Sequence, residues 1–192
     1  MPDLGLYQAK YGLRRVLDRI PGIARLDPNA VSLSALAASA VAAWAFATSL
    51  WPLLAIGIVL RMVLSTLDGH IAENYGKKTR VGGYINRLVS ELADVAILVG
   101  FVFHARPGWA LAVICGAWTV NILGLVGLVA GGKIQSVGPA GQTDRMALLL
   151  VVAIIASFVD VDWTLVAQIF VALIAVTIVL RLDRSVRELR TA

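Results

Sequence analysis

The sequence predicts an all-α integral membrane protein, with six transmembrane helices preceded by an amphipathic juxtamembrane helix. Two observations carry this expectation. The 192 residues are 59% apolar with a mean hydropathy of +0.82, and the apolar residues gather in runs long enough to cross a hydrocarbon layer of about 30 Å. Most of the 17 basic residues collect at alternate ends of those runs, as they do in the cytoplasmic loops of multi-span proteins. The length suits one bundle with no second domain.

Residues 1–30 form the juxtamembrane segment. At helical spacing Leu6, Ala9, Leu13, Val16, Leu17 and Ile20 share one face, and Lys10, Arg14, Arg15 and Arg19 lie around the other. That pattern fits a helix lying in the membrane surface, or one packed on the protein's own bundle. The segment lacks the apolar core and small-residue cleavage site of a signal peptide and is expected to remain in the mature protein. Pro21-Gly22 breaks it, and Asp27-Pro28-Asn29 caps the first span.

The bundle is expected over 31–182, with a basic cytoplasmic tail over 183–192. The first span, 31–50, is rich in Ala and Ser, which let helices approach closely. Trp51-Pro52 reads as a tight turn. The remaining spans are expected near 53–69, 84–104, 109–130, 143–158 and 163–180. Thr143 reads as the cap of the fifth. One side receives the N-terminal helix, Lys77, Lys78, Arg80, Lys133, Arg181, Arg184, Arg187 and Arg190, and the other has Arg106 with Asp160 and Asp162. Trp51, Trp109 and Trp163 fall on the poorly charged side as interface anchors. Both termini are therefore expected in the cytoplasm, and the chain is expected to be a multi-pass plasma (inner) membrane protein. The one cysteine, Cys115, lies within an apolar run; it excludes an internal disulfide and reads as a small buried hydrophobe. The basic residues flank spans and form no nucleic-acid module.

The stretch Leu67 to Asp94, LDGHIAENYGKKTRVGGYINRLVSELAD, breaks the apolar pattern. Arg61, Ser65, Asp68 and Ala72 fall on one stripe of the second helix. Gly82, Asn86, Ser90 and Asp94 recur every four residues along the third, with Glu91 beside them. Each ionised group left in lipid costs about 2.5–3.5 kcal/mol. Arg61, Asp68, Glu91 and Asp94 must therefore face one another, a metal or a water-filled cavity. A buried charge network, with Arg61 answering Asp68 and Arg87 answering Glu91, and a functional pathway both satisfy that demand.

This stretch resembles the signature of the CDP-alcohol phosphotransferase family, D-x-x-D-G-x-x-A-R-x8-G-x3-D-x3-D. Asp68, Gly69, Ala72 and Gly82 sit at signature positions; Ser65, Glu73, Asn86 and Ser90 replace the other four. The resemblance extends to Asp27-Pro28-Asn29-Ala30-Val31-Ser32, similar to the family's P-N-x-[ST] lead into its first helix. It also reaches Gly138-Pro139-Ala140-Gly141-Gln142-Thr143-Asp144-Arg145, similar to a G-P-x-G-x-x-D-R segment before the fifth.

The resemblance implies transfer of a phosphatidyl-type group from a CDP-linked lipid to an alcohol, in phospholipid synthesis, with Mg²⁺ or Mn²⁺ held by carboxylates. On this chain only Asp68 keeps a metal role by position, and Asp94 and Asn86 on the facing stripe are the expected substitutes for the missing metal ligands. Catalysis falls to Asp94, one step beyond Ser90 on the same stripe, and to Glu91 beside it. Substrate binding falls to Gly69, Ala72, Gly82, Ser65 and Arg145. One ion on Asp68 and Asp94 with a bound pyrophosphate is physically reasonable, and two lack the negative charge they need. The expected partners are membrane lipid, the CDP-lipid and acceptor alcohol, and a second copy or partner membrane subunit. A catalytically degenerate lipid-binding or scaffolding subunit is the alternative. A transporter fits less well, because broken inverted repeats are lacking.

Overall fold

The computed structural model describes residues 22–132 and 134–191. The juxtamembrane amphipathic face over residues 6–20, and Lys133, lie outside the described residues. Among the described residues, a 3-10 turn at Ile23–Arg25 is followed by six α-helices: α1 (Pro28–Ala47), α2 (Trp51–Asn74), α3 (Arg80–Leu98), α4 (Pro107–Val129), α5 (Gln142–Ala156) and α6 (Trp163–Thr191). A 3-10 stretch, Val99–Phe103, extends α3. Short connections make sequential helices antiparallel.

Four of the six are long and apolar enough to cross a membrane: α1, α2, α4 over Pro107–Gly127 and α6 over Trp163–Arg190. The chain is a multi-pass membrane protein. Helix α3 carries Arg80, Arg87, Glu91 and Asp94, and α5 is 15 residues long.

Local chemistry sets the helix starts. Asp27 Oδ1 accepts a hydrogen bond from the Asn29 amide at 3.1 Å, with Pro28 in the first turn of α1, where its missing N–H costs nothing. The same proline rule corrects one expectation. Trp51 and Pro52 open α2 instead of forming a turn, and the reversal occurs two residues before Trp51, at Ser49, with φ 61°. Thr143 likewise does not cap α5. The capping position is Gly141, which makes no side-chain bond, and Thr143 lies inside the helix. Helix α6 runs well past residue 180, because its last turns leave the apolar core as a polar helix with an exposed Arg187–Asp183 pair at 2.9 Å.

Helix α1 packs on α2 and α3, α2 on α5, and α4 on α6. The close approach of α1 and α2 depends on Gly57, where a Cβ would lie 2.8 Å from Ala42 Cβ. The main apolar core runs through the bundle, and a smaller cluster joins Ile23, Val31, Leu67 and Ile71. At one end the main core closes on Phe46, Trp51, Phe101 and Trp163; the Trp51 and Trp163 ring centroids are 4.8 Å apart. Trp163 is thus buried in the packing at this end. Cys115 is exposed, contrary to the buried reading. Apolar helices in a membrane turn half their surface to lipid, so position in an apolar run does not assign a side chain to the core.

Candidate active site

The opposite end of the bundle holds a cavity of ≈ 270 Å³. Three segments build it. The N-terminal turn of α1 brings Pro28, Asn29 and Ser32. The last turns of α2 bring Ser65, Asp68, Gly69, Ala72 and Glu73, and the α2–α3 connection with the first turns of α3 brings Lys77, Lys78, Gly82 and Asn86. Six of the residues singled out in the sequence, Ser65, Asp68, Gly69, Ala72, Gly82 and Asn86, therefore line one cavity. Asp94, Glu91 and Arg145 do not.

Asp68 is buried and held from two sides. Its Oδ2 accepts the Ser32 hydroxyl at 2.6 Å and its Oδ1 the Gly69 amide at 2.5 Å. Ser32 is the residue that sequence reasoning missed, although it ends the Pro28–Ser32 motif. Its contact crosses between helices far apart in sequence, so spacing alone gives no sign of it. Gly82 is required sterically. A Cβ there would lie 2.9 Å from Thr79 Oγ1 and 3.0 Å from Asn29 Oδ1, and its amide is capped by Thr79 at 2.9 Å. Lys77 is fixed at the rim by donating to the Leu26 carbonyl at 2.7 Å.

Deeper in the bundle lies a second polar cluster. Asp94 is wholly buried and pairs with the equally buried Arg145. Arg145 also donates to the Ala140 carbonyl at 2.8 Å and to Asn121 Oδ1 at 2.9 Å. Arg61 Nη2 meets the Ser90 carbonyl at 3.4 Å, and Gln142 Nε2 meets the same carbonyl at 2.5 Å. Arg87 and Glu91 pair at 3.1 Å, as expected from their spacing. Arg61 Nε, Glu91 Oε2, Asp94 Oδ1, Asn121 Nδ2 and Arg145 Nε are buried with no hydrogen-bond partner. A buried polar atom in that condition costs about 1–3 kcal/mol. The cluster thus retains both donors and acceptors for a small polar molecule. Asn121 was not foreseen; its one signal is an amide within an otherwise apolar helix.

This placement revises the expected metal set of Asp68, Asp94 and Asn86. Asp94 lies two turns along α3 from Asn86, about 12 Å by helical rise, and serves as the counterion of Arg145. An unpaired buried guanidinium would be strongly destabilising, so the pairing takes the carboxylate away from the cavity. Within the cavity the possible hard donors are the Asp68 and Glu73 carboxylates, the Asn86 amide oxygen and the Ser32 and Ser65 hydroxyls. Mg²⁺ usually takes one or two carboxylates with waters and substrate phosphates, so these residues fit one such ion. Among the described residues no group of three or more His, Cys, Asp and Glu gathers to hold an ion by itself.

No protein-family model matches the chain. The inner membrane protein YnbA of Escherichia coli is 28% identical over 123 residues, 61% of each protein. The chain thus spans about three fifths of that relative. The archaetidylinositol phosphate synthase of Pyrococcus horikoshii is 21% identical over 131 residues, 67% of this chain and 70% of that protein. Among solved structures, the phosphatidylinositol phosphate synthase of Mycobacterium tuberculosis with CDP-DAG bound superposes with a TM-score of 0.69 at 20% identity, covering 95% of this chain and 94% of that one. The likeness to that structure is one of fold.

Proposed function

We propose that this chain, which resembles the CDP-alcohol phosphotransferases and shares their fold, transfers a phosphatidyl-type group from a CDP-linked lipid to an alcohol in phospholipid synthesis. The observation that carries the proposal is the convergence of Asp68, Gly69, Ala72, Gly82 and Asn86 on one cavity with Ser32 and two lysines. The named relatives, a synthase and a structure with CDP-DAG bound, support it.

In this reading the nucleotide enters between α1 and the α2–α3 connection. Gly69, Ala72 and Gly82 leave room for its backbone-close approach, and Lys77 and Lys78 draw its phosphates to the mouth. The acceptor hydroxyl attacks the lipid-side phosphorus. A new P–O bond forms, the pyrophosphate P–O bond breaks, and the electron pair leaves with CMP. A divalent ion, Mg²⁺ or Mn²⁺, on Asp68 and Asn86 would supply charge stabilisation for the phosphates.

Glu91 is the group proposed to take the hydroxyl proton, because its Oε1 is held by Arg87 while Oε2 is buried without a partner. Asp94 is a positioning residue in place of the catalytic ligand expected from its stripe, and it orients Arg145. The unpartnered donors and acceptors around Arg61, Asn121 and Arg145 suit a polyhydroxylated acceptor.

We also propose that all six helices span the membrane. The charged face of α3 would be turned into the bundle, and both termini and the cavity would face the cytoplasm of an inner membrane. The functional domain is taken as 31–182, with 1–30 as a surface-lying segment and 183–192 as a basic tail. A second copy or a partner membrane subunit is the proposed assembly. The test is CMP release from CDP-diacylglycerol by the purified chain, across a panel of alcohols with Mg²⁺ or Mn²⁺. Acceptor-dependent CMP is expected. CDP-lipid binding with no CMP from any acceptor would leave a lipid-binding subunit instead.

A further inference from the structure

The charges lining the cavity support a step beyond that reading, and they can be summed. Its charged residues are two carboxylates, Asp68 and Glu73, and two ammonium groups, Lys77 and Lys78; they cancel. A CDP-lipid brings two phosphodiester-type groups, each carrying about one negative charge. One divalent cation then closes the sum to zero, and a second would leave an excess of about two positive charges in a partly desolvated site, where like charges repel strongly.

The donor set agrees with the sum. Asp68 already accepts the Ser32 hydroxyl and the Gly69 amide; Glu73 is the one other carboxylate of the lining, and the remaining side-chain oxygens, on Asn29, Ser32, Ser65, Thr66, Thr79 and Asn86, are neutral. A hard cation needs about six oxygens, and these residues alone cannot supply enough charged ones to strip its water. The phosphates of the nucleotide complete the set.

We propose that the cavity takes a single divalent cation, that the cation binds only together with the nucleotide's pyrophosphate, and that Lys77 and Lys78 stand in for the charge of a second ion. This rests on the reading of the cavity as a CDP-lipid site. Lys77 is built for the role. One of its protons goes to the Leu26 carbonyl, which holds the ammonium at the rim, and two protons remain for phosphate oxygens. Lys78 follows it directly, exposed at the same mouth. The arrangement exchanges a tightly charged two-ion centre for one ion and two ammonium point charges at the rim.

The experiment counts Mn²⁺ bound to the full chain in detergent micelles by electron paramagnetic resonance, with and without CDP-diacylglycerol. Binding of CDP-diacylglycerol itself is measured in parallel, with and without EDTA. One Mn²⁺ per chain is expected with the lipid, and Mn²⁺ affinity at least about tenfold weaker without it. Asp68→Asn should lose the Mn²⁺ signal. Lys77→Gln with Lys78→Gln should weaken CDP-diacylglycerol about tenfold while the count stays at one; both lysines lie outside the packed core, so the variant retains its fold. Two Mn²⁺ per chain, or equally tight Mn²⁺ binding without lipid, overturns the inference and leaves the CDP-lipid reading standing. Failure to bind CDP-diacylglycerol under any condition overturns both.

Discussion

At the level of single residues, two carboxylates on neighbouring helices have parted company. Asp68 faces an open cavity and is steadied by a serine, whereas Asp94 is sealed against Arg145. The pair is inaccessible, with side-chain exposures of 0% for Asp94 and 1% for Arg145, so removing one partner strands a charge. Asp94→Asn or Arg145→Met alone should each destabilise the protein by about 3–5 kcal/mol, and the two together by less than their sum. Thermal unfolding in detergent measures this; additive losses would show that the two side chains act separately. Ser32→Ala should act differently. It removes one buried hydrogen bond worth about 1–3 kcal/mol and frees Asp68 to rotate, so CDP-lipid affinity should fall more than stability does. Equal affinity in this variant would remove Ser32 from the site.

The helices show which parts of this arrangement were legible in the sequence. Apolar runs and breakers located the six helices of the described residues, because Pro or Gly marks their ends, and four of them have the length and apolarity that a membrane span needs. The signature spacing brought Asp68, Gly69, Ala72, Gly82 and Asn86 onto facing stripes, and the structure gathers them. Spacing within a helix carries no information about depth across the bundle. It therefore placed Asp94 beside Asp68, when the buried Arg145 on α5 had the stronger demand for it. Nor did it reveal Ser32, Asn121 or Gln142, whose roles depend on which helix lies opposite. Cys115 was misjudged for the same reason.

Close packing of α1 on α2 gives this scale its own test. Gly57→Val should force the helices apart against Ala42 and lower stability by about 1–3 kcal/mol, with a weakened cavity because α1 carries Asn29 and Ser32. A variant as stable as the parent would mean the contact has slack.

For the whole molecule, the distribution of charge bears on the orientation in the membrane. The cavity lies at the end where α1 and α3 begin and α2 ends, the same end that carries Lys77, Lys78 and Arg80. If the basic loops face the cytoplasm, the cavity opens where soluble nucleotides are found. In a Cys115→Ser background, cysteines introduced at Arg184 and Asp160 should label from opposite sides of an oriented membrane. Labelling of both from the same side would break the six-span arrangement.

The account as a whole turns on whether the cavity around Asp68 performs phosphatidyl transfer. The direct measurement is CMP release from CDP-diacylglycerol with Mg²⁺ or Mn²⁺ and an acceptor alcohol, comparing the parent with Asp68→Asn while circular dichroism confirms that both are folded. The account gives acceptor-dependent CMP from the parent and a loss of at least about a hundredfold in Asp68→Asn, because one group serves positioning and charge stabilisation together. Turnover in the parent that survives Asp68→Asn unchanged would contradict it.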